Sequence, residues 1–278
     1  MSEAYTAPVS ETRPPATAGR PEGGATDAEW RGILEGTAPG FAAGRGILRL
    51  IPSSPRCKLC LAPFSGLGGQ LMRVIGRRPW AKNPNMCGLC FVQLEKHRGG
   101  AEIDVSLLFA DIRGSTGLAE TMGTERFRTL MDRFYHAVTE VLIEHDGIVD
   151  KFVGDEVVAL FIPALTGADH AKRAIASAQG ILAATGHRDP DGPWAPIGVG
   201  VHTGRTFVGT IGDTVTDFTA IGDPVNVTAR LASEAAAGEI LVTRAASDAA
   251  GAVTAELERR SLTLRGRQEP LDVHVFHA

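Results

Sequence analysis

Long apolar runs are missing from this 278-residue chain. No stretch approaches the roughly 18 to 20 residues that a membrane-spanning helix needs. The start, Met1-Ser2-Glu3-Ala4, lacks the basic-then-apolar order of a secretory signal, so a cytoplasmic location is expected. Strong net charge is missing too: −4 overall, with a pI near 6.1, gives no global pull toward nucleic acid or an anionic membrane. The eight histidines are scattered without ligand spacing, which removes a histidine-based metal centre. Gly66-Leu67-Gly68-Gly69 lacks the Gly-Lys-Ser/Thr ending of a phosphate-binding loop and reads as a turn. Cysteine is absent everywhere except between Cys57 and Cys90. What remains, with 44% apolar residues, is a globular chain large enough for a sizeable core.

Three regions differ in composition. Residues 1–26 are rich in Pro, Gly, Ala, Ser and Thr without periodicity, and are expected to be a disordered leader. Residues 27–98 open with a helix signal at Thr26-Asp27-Ala28-Glu29-Trp30 and contain all four cysteines. From Arg56 to Arg98 there are eight Lys or Arg against the single acid Glu95, a local charge of +7. His97–Glu102 reads as a hinge, and residues 103–278 form the third region.

In that region strands alternate with helices. The apolar run Val105–Ala110 ends at Asp111, and residues 124–145 carry Phe127, Leu130, Met131, Phe134, Val138, Val141 and Leu142 at helical spacing. Strands at Ile148–Phe152 and Glu156–Ile162 flank Val153-Gly154-Asp155, a hairpin with Asp155 at its tip. Further on come a helix over 168–185, strands at 197–203, 205–211 and 217–221, and a helix opening at Asp223-Pro224 with Asn226 and Arg230 one turn apart. A strand–helix–strand–strand passage closes the chain. This order predicts an α+β fold. Carboxylates ending strands, as Asp111 and Asp155 do, are suited to holding hard divalent cations against a polyphosphate.

Four separated motifs, Phe-Ala-Asp-Ile-Arg-Gly-Ser-Thr at 109–116, Lys-Phe-Val-Gly-Asp-Glu at 151–156, Gly-Val-His-Thr-Gly at 200–204 and Gly-Asp-Pro-Val-Asn-Val-Thr-Ala-Arg at 222–230, occur in the order found in class III nucleotidyl cyclases. The segment 103–278 resembles that catalytic domain. The resemblance implies a ferredoxin-like α+β domain with helices packed on a mostly antiparallel sheet. It also implies two Mg²⁺ or Mn²⁺ ions held by Asp111, Asp155 and the Ile112 carbonyl. Lys151 and Thr219 match the purine-reading pair in its ATP-selecting form, and the threonine is the pattern of a bacterial adenylyl cyclase subclass often activated by bicarbonate. Asn226 and Arg230 match the pair that orients the ribose and stabilises charge at the α-phosphate. Arg265, in Leu264-Arg265-Gly266-Arg267, matches a contact to the terminal phosphates. The implied activity is conversion of ATP to 3′,5′-cyclic AMP and pyrophosphate in a head-to-tail homodimer, each site drawing its metals from one subunit and its remaining residues from the other. A cyclase using GTP or a pyrimidine triphosphate, and a non-catalytic nucleotide-binding signalling module, are the alternatives. Val153–Val157 is also similar to the Gly-Gly-Asp-Glu-Phe signature of diguanylate cyclases, but its first Gly and its Phe are absent.

The cysteines form Cys57-x-x-Cys60 and Cys87-x-x-Cys90, separated by 26 residues. Paired knuckles of this kind present four thiolates to one ion, so a Cys₄ zinc module is expected, with an iron–sulfur cluster or a metal-free dithiol pair as alternatives. Such a module would sense metal or redox state, or dock a protein partner, and set the spacing of the dimer; a nucleic-acid partner is not favoured, the basic residues around Trp80 reading as a solvated face.

Overall fold

The fold comes from a computed structural model. It describes residues 26–38, 45, 48, 50–51, 55–80, 83–96 (backbone only at 93–96), 98–212, 217–263 and 269–278. The expected leader and Arg265 therefore lie outside the described residues, apart from Thr26.

Thr26 caps α1 (Asp27–Glu35) with a full capping box: its hydroxyl accepts from the Glu29 amide while the Glu29 carboxylate accepts from the Thr26 amide. The cysteine region then builds α2 (Gly66–Val74), a short hairpin of β1 (Pro79–Trp80) and β2 (Asn83–Cys87), and α3 (Gly88–Lys96). The rest of the chain makes β3 (Gly99–Ile112), α4 (Ser115–Met122), α5 (Thr124–Glu144), β4 (Ile148–Val153), β5 (Glu156–Phe161), α6 (Pro163–Thr166), α7 (His170–Ala184), β6 (Ile197–Ile211), β7 (Asp217–Ile221), α8 (Asp223–Glu234), β8 (Ile240–Thr243), α9 (Arg244–Ala250), β9 (Glu258–Leu262) and β10 (Leu271–Phe276). Strand order is β4-β5-β3-β6-β8-β10-β9, with β7 added along the second half of β6. Every pairing is antiparallel except β6 with β8, and the first four strands, with α5 and α7 as crossovers, give the ferredoxin-like arrangement.

Two boundaries differ from the sequence reading. Gly99–Glu102 is no hinge but the start of β3, paired with Phe207–Thr210. Glycine is needed there for closeness rather than freedom: a Cβ on Gly100 would lie 2.5 Å from the Val208 carbonyl oxygen. Residues 197–211 form one continuous strand rather than two, because β3 pairs along all of it.

The two faces of β3 meet different partners, as period-2 alternation requires. Leu108, Ala110 and Ile112 pack with Met131, Phe134, Val138 and Leu142 of α5 and with α7. Ala101, Ile103, Val105 and Leu107 join a second core shared with Trp30 and Leu34 of α1 and with all four cysteines. The cysteine module is therefore docked on the sheet. Trp30 and Phe91 both contact the Phe218 ring of β7, at centroid distances of 6.4 and 6.2 Å. A polar tie completes the junction at Asp146, whose side chain is only 2% exposed. Asp146 accepts from Lys58 (2.8 Å), Asn85 (3.0 Å) and Arg173 (2.6 Å), and Asn83 donates to the neighbouring Gly147 carbonyl.

Candidate active site and cysteine centre

The first cluster forms where β3 leaves the sheet. Asp111 lies opposite Glu156 in the β3–β5 register, and the Ile112 amide donates to the Asp155 carbonyl at 3.3 Å. The hairpin tip turns at Gly154, in the left-handed region at φ 60°, and Tyr135 donates its hydroxyl to the Gly154 carbonyl. Asp111, Ile112 and Asp155 are thus brought together, two carboxylates and a main-chain carbonyl, an oxygen set that suits a hard divalent cation. Two groups the sequence reading passed over join them. Arg113 forms an ion pair with Asp111 and also donates to the Ser233 carbonyl at the end of α8 (2.7 Å). Burial pushes the Glu156 carboxyl up to about 7, with the Asp155 charge adding to the shift and Arg113 opposing it. Their positions, two residues after Asp111 and one after Asp155, were the available signal.

The second cluster sits on β4 and β7. Lys151 and Thr219 converge on Asp150: the Thr219 hydroxyl donates to Asp150 Oδ2 at 2.8 Å, and Lys151 Nζ lies 3.6 Å from the same oxygen. Lys151 is also 3.6 Å from Asp217 at the start of β7. Thr219 is buried, whereas the Lys151 side chain is 40% exposed. Burial raises the Asp150 carboxyl above its ordinary value, against the Thr219 hydrogen bond and the Lys151 charge.

The third pair rides on α8. Val227, Leu231 and Ala232 are buried against the sheet, while Asn226 is exposed and Arg230 half-buried. Glycine in β6 permits this approach, since a Cβ on Gly200 would lie 2.5 Å from the Ala232 amide nitrogen. The helix cap is Gly222, with Asp223 as the first helical residue and Pro224 second. Among the described residues no hydrogen bond or ion pair joins Asp111 or Asp155 to Lys151, Thr219, Asn226 or Arg230.

The fourth set is the cysteines. Cys57 and Cys60 bracket a tight turn that Leu61 follows at φ 61°, while Cys87 ends β2 and Cys90 lies in the first turn of α3. All four are buried, unbridged, and have sulfurs within 4.8 Å of one another. The Cys60 and Cys87 sulfurs are 3.7 Å apart, against about 3.8 Å expected along the edge of a tetrahedron with 2.3 Å metal–sulfur bonds. Donors already point at them: Arg77 to Cys60 (3.0 Å), the Cys87 amide to Cys57 (3.2 Å) and the Cys90 amide to Cys87 (3.4 Å). Mutual hydrogen bonds divide the four thiols: those from the other three, Cys57 first, hold Cys60 far below the usual thiol range, while Cys57 and Cys90 are pushed above it. These four residues can hold a metal ion.

Comparison with known proteins bears on the larger region. Residues 100–277 match the family described as "Adenylate and Guanylate cyclase catalytic domain". The chain belongs to this family, and the matched region is a nucleotidyl cyclase domain, of a kind that works with divalent cations. Among curated relatives, the uncharacterized proteins Rv1320c and Rv1318c of Mycobacterium tuberculosis are each 31% identical over 178 and 182 residues, covering 62% of this chain. The matched stretch spans only 31% and 32% of those relatives. Among solved structures, the guanylyl cyclase Cya2 superposes with a TM-score of 0.58 at 26% identity, covering 64% of this chain and 93% of its own. The adenylyl cyclase CyaB from P. aeruginosa gives 0.55 at 27% identity, covering 64% and 96%. Cyclases of both nucleotide preferences thus share this fold. No helix among the described residues is long and apolar enough to cross a membrane.

Proposed function

We propose that the protein is an adenylyl cyclase that converts ATP to 3′,5′-cyclic AMP and pyrophosphate as a head-to-tail homodimer. The observation that carries this reading is the convergence of Lys151 and Thr219 on one buried carboxylate. An ammonium donor beside a hydroxyl acceptor complements adenine, whose N1 accepts and whose 6-amino group donates. Guanine offers the reverse pattern at both atoms.

In this reading Lys151 and Thr219 seat the base, Asn226 orients the ribose and the Arg230 guanidinium faces the α-phosphate. O3′ attacks the α-phosphorus in line, its proton passing to solvent water, and the bond from the α-phosphorus to the bridging β-phosphate oxygen breaks to release pyrophosphate. Arg230 stabilises the charge that builds on the α-phosphate oxygens, an interaction stronger in the transition state than in the ground state. Asp111, Asp155 and the Ile112 carbonyl would hold two divalent cations, which when bound would neutralise charge on the triphosphate and lower the pKa of the 3′-hydroxyl. Arg265 belongs to the same proposal as a contact to the terminal phosphates.

The dimer is supported by exposed apolar residues flanking the base-reading pair. Phe152 and Val153 follow Lys151, Ile221 closes β7, and they are 46%, 52% and 50% exposed. The Cys₄ set is read as a zinc site, because sulfurs this close fit one tetrahedral ion. An iron–sulfur cluster places more than one iron between its thiolates and spreads them wider.

Incubating the purified protein with each of four nucleoside triphosphates and Mn²⁺, and identifying cyclic products by mass, tests the activity. Cyclic AMP is expected as the main product; cyclic GMP instead would move the specificity, and no cyclic product would end the enzyme reading. Asp111→Ala and Arg230→Ala, each inactive alone, should regain activity when mixed, since one of two sites in the heterodimer is then intact. Heterodimers that form yet stay inactive would rule out the shared site.

A further inference from the structure

Asp150 belongs to neither the metal-binding nor the base-reading set, yet it is the group on which the base-reading pair converges. Strand β4 does not place it there by simple alternation. Val149 pairs with Ala159 and Lys151 with Val158, so the register slips between them and Asp150 has no opposite residue on β5. Such a bulge re-aims side chains. Here it leaves Asp150 and Lys151 close enough for Oδ2 and Nζ to lie 3.6 Å apart. The Asp150 side chain is only 2% exposed, and its Oδ1 is buried without a partner. Burying a carboxylate with one oxygen unmatched is unfavourable, and an asparagine or serine would tie β4 to β7 with less penalty. The carboxylate therefore calls for a reason beyond holding two strands together.

A threonine hydroxyl has one proton to give and two lone pairs to receive with. Thr219 gives its proton to Asp150 at 2.8 Å. We propose that Asp150 is the positioning residue that sets base specificity: by taking the only proton of Thr219, it leaves that oxygen able to accept from the 6-amino group of adenine and unable to donate to the 6-carbonyl of guanine. A carboxylate suits this task because, ionised, it accepts and never donates. The same oxygen also holds the Lys151 ammonium beside the threonine. Threonine alone does not discriminate, since a free hydroxyl rotates to suit either purine; Thr219 discriminates because its rotor is fixed from behind. This inference rests on Lys151 and Thr219 being the base-reading pair.

The test compares triphosphates that differ at the purine 6-position: ATP, the unsubstituted purine riboside triphosphate, and ITP, which carries a carbonyl there and a proton on N1; the N1 change meets Lys151 in wild type and variant alike, so a change of ratio between them reports on position 6. Both cyclic product formation and competition for nucleotide binding are read on the intact full-length protein with Mn²⁺. Wild type is expected to rank ATP above purine and purine above ITP, because a lone pair facing a carbonyl is repelled and the N1–H of ITP meets the Lys151 ammonium. Each step should be tenfold or so, the usual worth of one hydrogen bond in a site. In Asp150→Asn the side-chain amide can donate to Thr219 Oγ1 and free its proton. ITP should then gain and ATP lose, narrowing the ratio by about tenfold or more, through KM more than kcat. Thr219→Val separates the two readings. If Thr219→Val leaves the ATP-to-ITP ratio unchanged, the base-reading assignment itself fails. If Thr219→Val shifts the ratio and Asp150→Asn does not, the role of Asp150 alone is overturned. The wild-type ranking needs no variant, so ITP used or bound as well as the unsubstituted purine would overturn the inference even if Asp150→Asn failed to fold.

Discussion

The protein has two places suited to cations, and they differ in how complete they are without one. The four sulfurs of Cys57, Cys60, Cys87 and Cys90 lie within 4.8 Å of one another in a buried core. The carboxylates of Asp111 and Asp155 stand at strand ends, partly open, and Asp111 has the Arg113 guanidinium as its counter-ion. A cluster of four buried thiolates would be intolerable without a metal to absorb its charge, so on the proposed zinc reading the ion is part of the folded structure. A half-open carboxylate already neutralised by arginine tolerates an empty state, as befits cations that arrive and leave with a nucleotide. On the proposed readings the first site would keep its ion and the second would exchange it. The location of the first agrees: the thiol cluster shares a hydrophobic core with Trp30, Phe91 and Phe218.

The largest effect expected from breaking this contrast is at the cysteines. Structural zinc in small modules binds with about 10 kcal/mol or more, which exceeds the whole stability of many domains. Cys87→Ser with Cys90→Ser, or a strong chelator, should therefore unfold the module rather than merely empty it. Metal content by elemental analysis should fall from one ion per chain to none, and tryptophan emission should shift to the red as Trp30 and Trp80 lose their packing. Because Trp30 and Phe91 rest on Phe218, next to Thr219, cyclase activity should fall with the module. Serine variants that keep their thermal midpoint, dimerisation and cyclase rate would remove both the structural and the regulatory role of the module.

Asp155→Ala should show the opposite signature. Loss of a cation-binding carboxylate removes several kcal/mol of transition-state stabilisation, so the cyclase rate should drop by about 10²- to 10³-fold. The fold should be nearly untouched, since the strand contacts at the tip run through the Asp155 and Gly154 carbonyls rather than the Asp155 side chain. Thermal midpoints measured without divalent cation should coincide with those of the wild type. A large fall in stability instead would mean that the two cation sites are not as different as their surroundings suggest.

Much of this arrangement is legible in the sequence, for reasons that are local. Helix α5 spans Thr124–Glu144 where heptad-like apolar spacing predicts 124–145. The hairpin that carries Asp155 follows from period-2 runs around Val153-Gly154, and the cysteine pairs advertise their own convergence. What the sequence hides depends on distant partners. Gly99-Gly100 looks like a hinge because glycine is usually read as freedom, whereas here it admits the backbone of Val208 and Gly209. The bulge at Asp150 has no signature in Ile-Val-Asp-Lys-Phe, since it exists only relative to β5. Docking of the cysteine module onto the sheet rests on Trp30, Phe91 and Phe218, three aromatics 61 and 127 positions apart along the chain, and no local pattern joins them.

The junction between the two regions gives the mildest test. Asp146 adopts φ 63°, which asparagine tolerates as well as aspartate does, so Asp146→Asn keeps the backbone and shape while removing the charge that Lys58 and Arg173 share. Removing one member of a fully buried ion pair is usually severe, but both cations here keep solvent access, at 43% and 35% side-chain exposure. The loss should be about 1–2 kcal/mol, a few degrees in thermal midpoint. Its interest lies in where that loss falls. Asp146 sits two residues before β4, the strand that presents Asp150 and Lys151, and it is held from the cysteine module by Lys58 and Asn85. If module and cyclase domain are mechanically joined there, Asp146→Asn should raise KM for nucleotide more than it lowers kcat, and should do so only while the cysteine metal is bound. A KM that responds equally in metal-loaded and metal-stripped protein would mean that the module sits on the sheet without steering it.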